Sequence, residues 1–250
     1  MRVRRVFVAD PLVSGERVWV EDAPANHIVR VLRLSRGDTL AAFDGLGGEY
    51  DAIIEDIRKD QVLLGIGEHH PLDRESPLAV TLAQGISRGE RMDLVVQKAT
   101  ELGVRRIVPI IAERSVVRLA EDQKQSRLRH WRGVAIAACE QCGRNTLPQI
   151  DDPLLLDEYV AATPDEEPPS TIEAPRWVLS PLGTTRIRDL KPPPEGLTLL
   201  IGPEGGLSES EHDLALTRGW QALQLGPRIL RTETAAIAAI AAIQQQHGDL

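Results

Sequence analysis

A glycine-rich turn after a buried strand is the first feature of the sequence that could do chemistry. The apolar Leu200–Ile201 leads into Gly202–Gly206, which holds three glycines and a proline, and Ser208 follows. Such a turn leaves backbone groups open to close approach, and loops at the carboxyl ends of strands bind ligands in α/β proteins. The alternative is a plain strand–helix connection. A phosphate-binding loop is disfavoured, because no Lys-Ser/Thr pair follows and the GxGxxG spacing is absent.

A second loop, Leu225–Ala235, combines a constrained backbone with positive charge. A Gly-Pro pair opens it, and Arg228 and Arg231 follow within a few residues. Thr232 or Thr234 could cap the helix that comes next. Capping does not explain why two arginines share one proline-constrained loop, and the loop is therefore a second candidate for a ligand site.

Two cysteines, Cys139 and Cys142, have CxxC spacing. A structural zinc site needs two more ligands at comparable spacing, and the sequence offers none. A redox pair usually opens a helix, whereas this pair falls near the end of one. The pattern favours buried, unreactive cysteines and no metal site.

The elements that must position the two loops alternate between strands and helices, which predicts a parallel α/β sheet over residues 77–250. The helix signals are apolar residues at helical spacing, a glycine stop at Gly103 and a Ser208/Glu211 capping box. The predicted strands are Leu78–Gln84, Arg106–Ile111, Trp177–Leu179, Leu197–Ile201 and Ala222–Leu225, and the predicted helices are Glu90–Gly103, Glu121–Cys142, Ser208–Gly219 and Glu233–Gln246. The acidic, Pro-rich stretch Thr163–Pro175 predicts a surface loop.

Residues 1–73 have a different, all-β pattern. Short apolar or alternating runs separated by Gly and Asp turns predict a small β-barrel. The predicted strands are Val3–Val8, Arg17–Val20, Thr39–Phe43, Tyr50–Ile57 and Gln61–Ile66. A polar, proline-bearing break from His69 to Pro77 predicts the domain boundary.

Charge is distributed unevenly along the chain. The net charge is -8, yet residues 1–36 carry seven Arg against four acids, and residues 105–144 carry nine bases against four acids. A phosphate-bearing partner needs a local basic patch rather than a basic total. We therefore expect Arg4, Arg5, Arg30 and Arg33 to contact RNA. The sequence has neither a signal-peptide core nor an apolar run of membrane-spanning length, which indicates a cytoplasmic protein without a membrane partner.

Together the two loops closely resemble the SPOUT superfamily, and within it the 16S ribosomal RNA uridine-N3 methyltransferase family. The resemblance covers nearly the whole chain. Other stretches that carry it are Arg4–Phe7, His27–Arg33, Gly47–Tyr50, Arg91–Val104, Glu113–Val117 and Glu140–Arg144.

The resemblance implies an RNA-binding PUA-like barrel at residues 1–73 and, at residues 77–250, a SPOUT-type α/β domain with a trefoil knot that forms a homodimer through its terminal helices. It also implies S-adenosyl-L-methionine as the cofactor and 16S ribosomal RNA, free or in the assembled small subunit, as the substrate. The implied cofactor-binding residues are Leu179, Ser180, Pro181, Gly202, Pro203, Glu204, Gly205, Gly206, Leu225, Gly226, Ile229, Leu230, Thr232, Thr234 and Ala235.

The chemistry of uridine N3 suggests which side chains would catalyse. N3 carries a proton and is a poor nucleophile until that proton leaves, so the reaction needs a base or cations that stabilise the uridinate. Arg231, with Arg228 nearby, and Arg144 are the candidate cations, since an Arg stays charged. Glu204 and Glu101 are the candidate bases.

Two alternatives remain open on the sequence. One is a catalytically silent RNA-binding or ribosome-assembly factor, which the intact glycine turn and the Arg231–Thr234 run disfavour. The other keeps the enzyme and changes the substrate to transfer RNA. A Rossmann-type nucleotide enzyme fails because its glycine fingerprint is missing.

Overall fold

The computed structural model describes residues 4–115, 121–162, 174–191 and 196–250, with only the backbone of residues 121 and 122. Val3 of the predicted strand Val3–Val8, the end of Glu113–Val117 and most of the predicted loop Thr163–Pro175 lie outside the described residues. Two compact units are present: residues 1–75 with 136–147, and residues 76–135 with 148–250. The division therefore falls inside a helix, after Ala135, as well as at the predicted break.

The first unit is built on a five-stranded sheet. Its strand order is β1-β3-β4-β5-β2, with β1 parallel to β3 and the other pairs antiparallel. No strand ladder joins β1 to β2 in the described part of the unit, so backbone hydrogen bonds do not close the predicted barrel. All five predicted strands are present, although the last continues to His70, into the predicted break. The strands are β1 (Arg5–Phe7), β2 (Arg17–Glu21), β3 (Thr39–Phe43), β4 (Glu49–Arg58) and β5 (Gln61–His70).

Between β2 and β3 of the first unit the chain is helical. Helix α1 (Asp22–Asn26) continues into one π-helical turn, His27–Val31. Ala25 and Ile28 are buried in the apolar core of the unit with alternate residues of the strands. The core-facing side of this segment is therefore fixed, and Arg30 and Arg33 are left at the surface.

The second unit is built on an eight-stranded sheet whose pairs are all parallel. Its order is β11-β13-β10-β12-β6-β7-β8, and β9 also pairs with β7. The strands are β6 (Ala79–Gly85), β7 (Arg106–Ile111), β8 (Gln149–Ile150), β9 (Leu154–Leu155), β10 (Arg176–Leu179), β11 (Thr185–Arg186), β12 (Gly196–Ile201) and β13 (Gln221–Gln224). A parallel sheet is stable only when both faces are covered.

Helices cover both faces of the eight-stranded sheet. Side chains of α2, α3 and α6 share one core with alternate strand residues such as Leu82 and Trp177, while α4 and α5 pack with Val178 and Leu200 on the other face. The helices are α2 (Glu90–Glu101), α3 (Glu121–Cys142), α4 (Leu156–Ala161), α5 (Glu209–Thr217) and α6 (Thr232–His247). Among the described residues, no helix has the length and apolar character needed to cross a bilayer.

Candidate active site

A cavity of about 880 Å3 opens in the second unit where β10, β12 and β13 end. The turn after β10 (Ser180–Leu182), the turn after β12 (Gly202–Ser208) and the loop after β13 (Leu225–Arg231) supply most of its lining. Its volume falls within the range of roughly 300–1,000 Å3 that is typical of small-molecule sites. Of the fifteen expected cofactor residues, all but Thr234 line this cavity. The side chain of Thr234 is exposed elsewhere on α6, so this assignment was wrong.

Packing within the protein requires the glycines of the turn after β12. A Cβ on Gly205 would lie 3.0 Å from both Cβ and the carbonyl oxygen of Arg114, and Gly206 adopts a φ of +70°, which L-residues rarely take. Two residues after Gly206, Ser208 caps α5 and forms the predicted capping box with Glu211. The turn is therefore held in one shape from both ends, and its backbone faces a preformed cavity.

Buried hydrogen bonds connect two segments that line the cavity to β6, which does not line it. The hydroxyl of Thr232 donates to the carbonyl oxygen of Gly202 (2.6 Å) and accepts from the side-chain amide of Gln84 (2.9 Å). Arg231 is the N-cap residue of α6 and no side chain caps the helix, so the expected capping role of Thr232 was wrong. The hydroxyl instead ties α6 to β12 and β6. Gln84 was not predicted as a site residue. Its only sequence signal is its polar side chain at the end of an apolar strand.

Replacing Thr232 by Val tests the hydrogen bonds that its hydroxyl makes to Gly202 and Gln84. Val has nearly the same shape as Thr, but it leaves the Gly202 carbonyl without its donor and one N–H of the Gln84 amide without its acceptor, and an unpaired buried group costs about 1–3 kcal/mol. We expect Thr232→Val to lower the free energy of unfolding by about this amount in urea titrations. Thr234→Val, on the exposed side of the same turn of helix, is the matched control and should change stability little. Equal losses in both variants would contradict the assignment.

Two arginines bring unpaired positive charge to the rim of the cavity. Arg228 and Arg231 line the cavity and are exposed. Within the described part of the chain, neither has an ion pair, and the neighbouring Glu233 does not hold Arg231. Their guanidinium groups are therefore available to negative charge that enters or develops in the cavity.

Glu204 lines the cavity but is placed as an ion-pair partner. Its Oε1 accepts hydrogen bonds from the backbone N–H of Arg88 (2.9 Å) and the guanidinium of Arg91 (2.8 Å). Burial acts to raise the pKa of Glu204, but the hydrogen bonds from backbone N–H groups and from Arg91 outweigh it, and the pKa is lowered. A lowered pKa makes a carboxylate a poorer base. Glu101, the other candidate base, pairs with Lys98 and does not line the cavity.

Arg144, an expected catalytic cation, is buried in the first unit instead. Only 4% of its side chain is exposed, and its Nε lies 3.0 and 3.1 Å from the two carboxylate oxygens of Glu75. It does not line the cavity. A guanidinium held in a buried bidentate pair is satisfied by its partner, so we withdraw Arg144 as a catalytic residue.

Arg5 was wrongly expected to bind RNA. It is 6% exposed, and its guanidinium contacts the carboxylate of Glu49, the side chain of Asn145 (2.6 Å) and the backbone oxygen of Arg144 (2.9 Å). A buried cation whose two terminal nitrogens are bonded within the first unit cannot reach a phosphate. The other expected RNA contacts, Arg4, Arg30 and Arg33, are exposed.

The buried thiol confirms the expectation for one cysteine. Burial raises the pKa of Cys139 to about 12, so the thiol is not ionised at neutral pH and is a poor nucleophile. Cys142 is half-buried. Among the described residues, no group of three or more His, Cys, Asp or Glu side chains could hold a metal ion.

Comparison with known proteins decides the family. Residues 74–244 match the model of an RNA methyltransferase domain, and residues 20–67 match that of an RNA methyltransferase PUA domain. A ribosomal RNA small subunit methyltransferase E of Buchnera aphidicola is 33% identical over 100% of this chain and 98% of its own length. The chain belongs to the ribosomal RNA small subunit methyltransferase E family. It is accordingly a methyltransferase.

Further relatives agree over most or all of their length. The Bacillus subtilis methyltransferase E is 33% identical over 94% of this chain and 89% of its own. The Neisseria gonorrhoeae methyltransferase E, solved bound to S-adenosyl methionine, superposes with a TM-score of 0.88 at 37% identity, covering 99% of each chain. A Legionella pneumophila structure in complex with the same cofactor gives a TM-score of 0.93 at 39% identity, covering 100% of each chain. These matches confirm that the chain is related to small-subunit ribosomal RNA methyltransferases and has a PUA-like domain.

Proposed function

We propose that the chain transfers a methyl group from S-adenosyl-L-methionine to N3 of a uridine in 16S ribosomal RNA of the small subunit. The observation that carries the proposal is the cavity where β10, β12 and β13 end, which fourteen of the fifteen expected cofactor residues line. Family membership supports the methyl transfer and the ribosomal RNA, and the uridine N3 position rests on the resemblance described above. We place this activity in the cytoplasm.

The residues around the cavity fit the cofactor. Apolar side chains such as Leu179, Ile201 and Leu230 line it and can pack against adenine and ribose, while backbone groups of the turn after β12 and of the loop after β13 provide hydrogen-bond partners. When bound, S-adenosyl-L-methionine supplies a methyl carbon on a positively charged sulfur, which makes that carbon electrophilic. The remaining chemistry is to generate a nucleophilic nitrogen and hold it beside the cavity.

The exposed arginines suit that remaining step. Loss of the N3 proton to solvent or a base leaves negative charge spread over N3 and the two uracil oxygens. In this proposal the Arg231 guanidinium, with Arg228 beside it, stabilises that charge before N3 attacks the methyl carbon. Glu204 is not assigned as the base, because its pKa is lowered and its Oε1 is occupied by Arg88 and Arg91.

The proposal includes the trefoil knot. Its support is the chain path at the cavity: β13 lies on the far side of β10 from β12, yet the chain returns after β13 so that Thr232, the first residue of α6, bonds to Gly202 at the end of β12. A crystal structure with a continuous backbone trace tests it. A last helix that passes outside every preceding loop would remove the knot.

Mass spectrometry of ribosomal RNA tests the function. Digests of 16S RNA from cells with and without the gene are compared, and the purified chain is then incubated with S-adenosyl-L-methionine and either small subunits, free 16S RNA or bulk transfer RNA. We expect one N3-methyluridine to be lost with the gene and restored by the purified chain. Methylation of transfer RNA alone would move the activity to the other substrate. Tight RNA binding with no cofactor affinity would favour a silent assembly factor.

A homodimer through α6 is also proposed. The helix is rich in Ala and Ile, and its half-buried residues Ile237 and Ala241 leave apolar surface exposed, as does Leu94 of α2. Apolar surface of this kind is typically covered by a second subunit. Light scattering should give twice the chain mass of 27.5 kDa at micromolar concentration. Ala241→Glu should shift the protein towards monomer, whereas Gln245→Glu, exposed on the same helix, should not. A wild-type monomer at these concentrations would contradict the dimer.

A further inference from the structure

One stretch of α3 is strongly basic in an acidic protein. The chain has a net charge of -8, but Gln123–Cys139 holds Lys124, Arg127, Arg129 and Arg132 and no acid. Leu128 and Trp131 of the same helix are 2% and 1% exposed, anchored in the core of the second unit. The arginines are therefore carried at the surface by a firmly packed helix.

The three arginines of this stretch have no ion-pair partner among the described residues, unlike their polar neighbours. Arg127, Arg129 and Arg132 are exposed, and the described residues provide no ion pair to any of them. By contrast, the adjacent His130 bonds to Asp93 (2.8 Å) and Gln125 bonds to Asp152 (3.0 Å). The carboxylates of Asp93 in α2 and of Asp152 after β8 are thus bonded to side chains other than the three arginines.

In the protein alone this arrangement is electrostatically unfavourable. Arg129 and Arg132 are three residues apart, so they neighbour each other on the helix surface, where like charges repel. Their repulsion is relieved when an anion lies across them, and a guanidinium can bind two phosphate oxygens at once.

We propose that Arg129 and Arg132, the α3 basic face, bind backbone phosphates of the RNA substrate. The inference rests on the proposed function, because it takes RNA as the substrate, and it adds a contact surface on the methyltransferase unit to the arginines expected on the first unit. An RNA partner is favoured over an acidic protein because the family acts on RNA, whose phosphates two adjacent guanidinium groups can bind.

The salt dependence of RNA binding tests the α3 basic face. The Kd of the full-length chain is measured against 16S RNA and small subunits from 50 to 300 mM KCl. The test variant is Arg129→Gln/Arg132→Gln, and the control is Arg186→Gln/Arg218→Gln, which removes the same charge from exposed positions elsewhere on the second unit. Each lost phosphate contact lowers the slope of log K against log salt by about 0.7–0.9. We expect the test variant to lose about 1.5 from that slope and to bind RNA about tenfold more weakly at 100 mM salt.

The outcomes separate this inference from the function beneath it. The inference is supported if the test variant weakens RNA binding while cofactor affinity, thermal midpoint and oligomeric mass stay at wild-type values. It is overturned if the test and control variants behave alike, or if the test variant changes oligomeric mass, since the face would then contact a second copy. Wild-type protein that binds neither RNA nor subunits would overturn the proposed function together with it.

Discussion

Arg231→Ala should lower the rate of methylation by about 10²-fold or more, the loss typical of removing one electrostatic stabiliser. Arg231 precedes the first residue of α6, lines the cavity and is exposed without an ion pair in the described structure. Because it braces nothing, its loss should leave the thermal midpoint unchanged. Cofactor affinity should also change little, since backbone groups and apolar side chains form most of the cavity. Single-turnover rates with saturating RNA and cofactor measure the effect.

A matched pair of variants makes the Arg231 test sharper. Arg231→Lys keeps the charge and loses the planar fork, so a partial rate is expected if the guanidinium holds the uracil oxygens in place. Arg218→Ala removes an exposed arginine that does not line the cavity and should retain full rate. Near-normal turnover in Arg231→Ala would remove it from the catalytic set, and Arg228 would be tested next.

Arg144→Ala should act on stability rather than on chemistry. The substitution leaves Glu75 buried without its cation, and breaking a buried ion pair by removing one partner costs about 3–5 kcal/mol. We expect the first unit to unfold at a lower urea concentration than in the wild type. Circular dichroism measures this unfolding. Arg36→Ala, an exposed arginine of the same unit, is the control.

A double-mutant cycle separates the ion pair from other roles of Arg144. Glu75→Ala/Arg144→Ala should be less destabilised than the sum of the two single variants, because the double variant leaves no unpaired charge behind, whereas each single variant does. Methylation per folded molecule should stay near the wild-type value. An Arg144→Ala protein that melts normally yet fails to turn over would return Arg144 to the catalytic set.

The sequence predicted best those elements that repeat a local signal over many residues. Helices α2, α3 and α6 were found within one or two residues of their bounds, because apolar residues recur at helical spacing along each of them. The Ser208–Glu211 capping box was found for the same reason, since both of its hydrogen bonds lie within four residues. The strands β8, β9 and β11 were missed because two residues are too few to show the alternating pattern of a strand.

Roles that depend on distant partners could not be predicted in this way. The arginine-rich composition of residues 1–36 predicted that Arg5 is an exposed RNA contact. Its partner Asn145 lies 140 residues further along the chain. Thr232 looks like a helix cap, and only the position of Gln84, 148 residues earlier, reveals what its hydroxyl bonds. Both cases concern a polar side chain whose burial is decided by tertiary packing rather than by its neighbours in sequence.

The shared helix has a consequence for the order in which the protein can be made. Residues 136–147 complete the first unit, and they hold Arg144 and Asn145, which engage Glu75 and Arg5. A ribosome adding about 5–20 residues per second delivers them several seconds after Glu75. During that interval the nascent sheet lacks two of its buried partners, so we expect the first unit to stay protease-sensitive on stalled chains ending before Leu147. A gene fragment cut at the apparent boundary would encode this unfinished state.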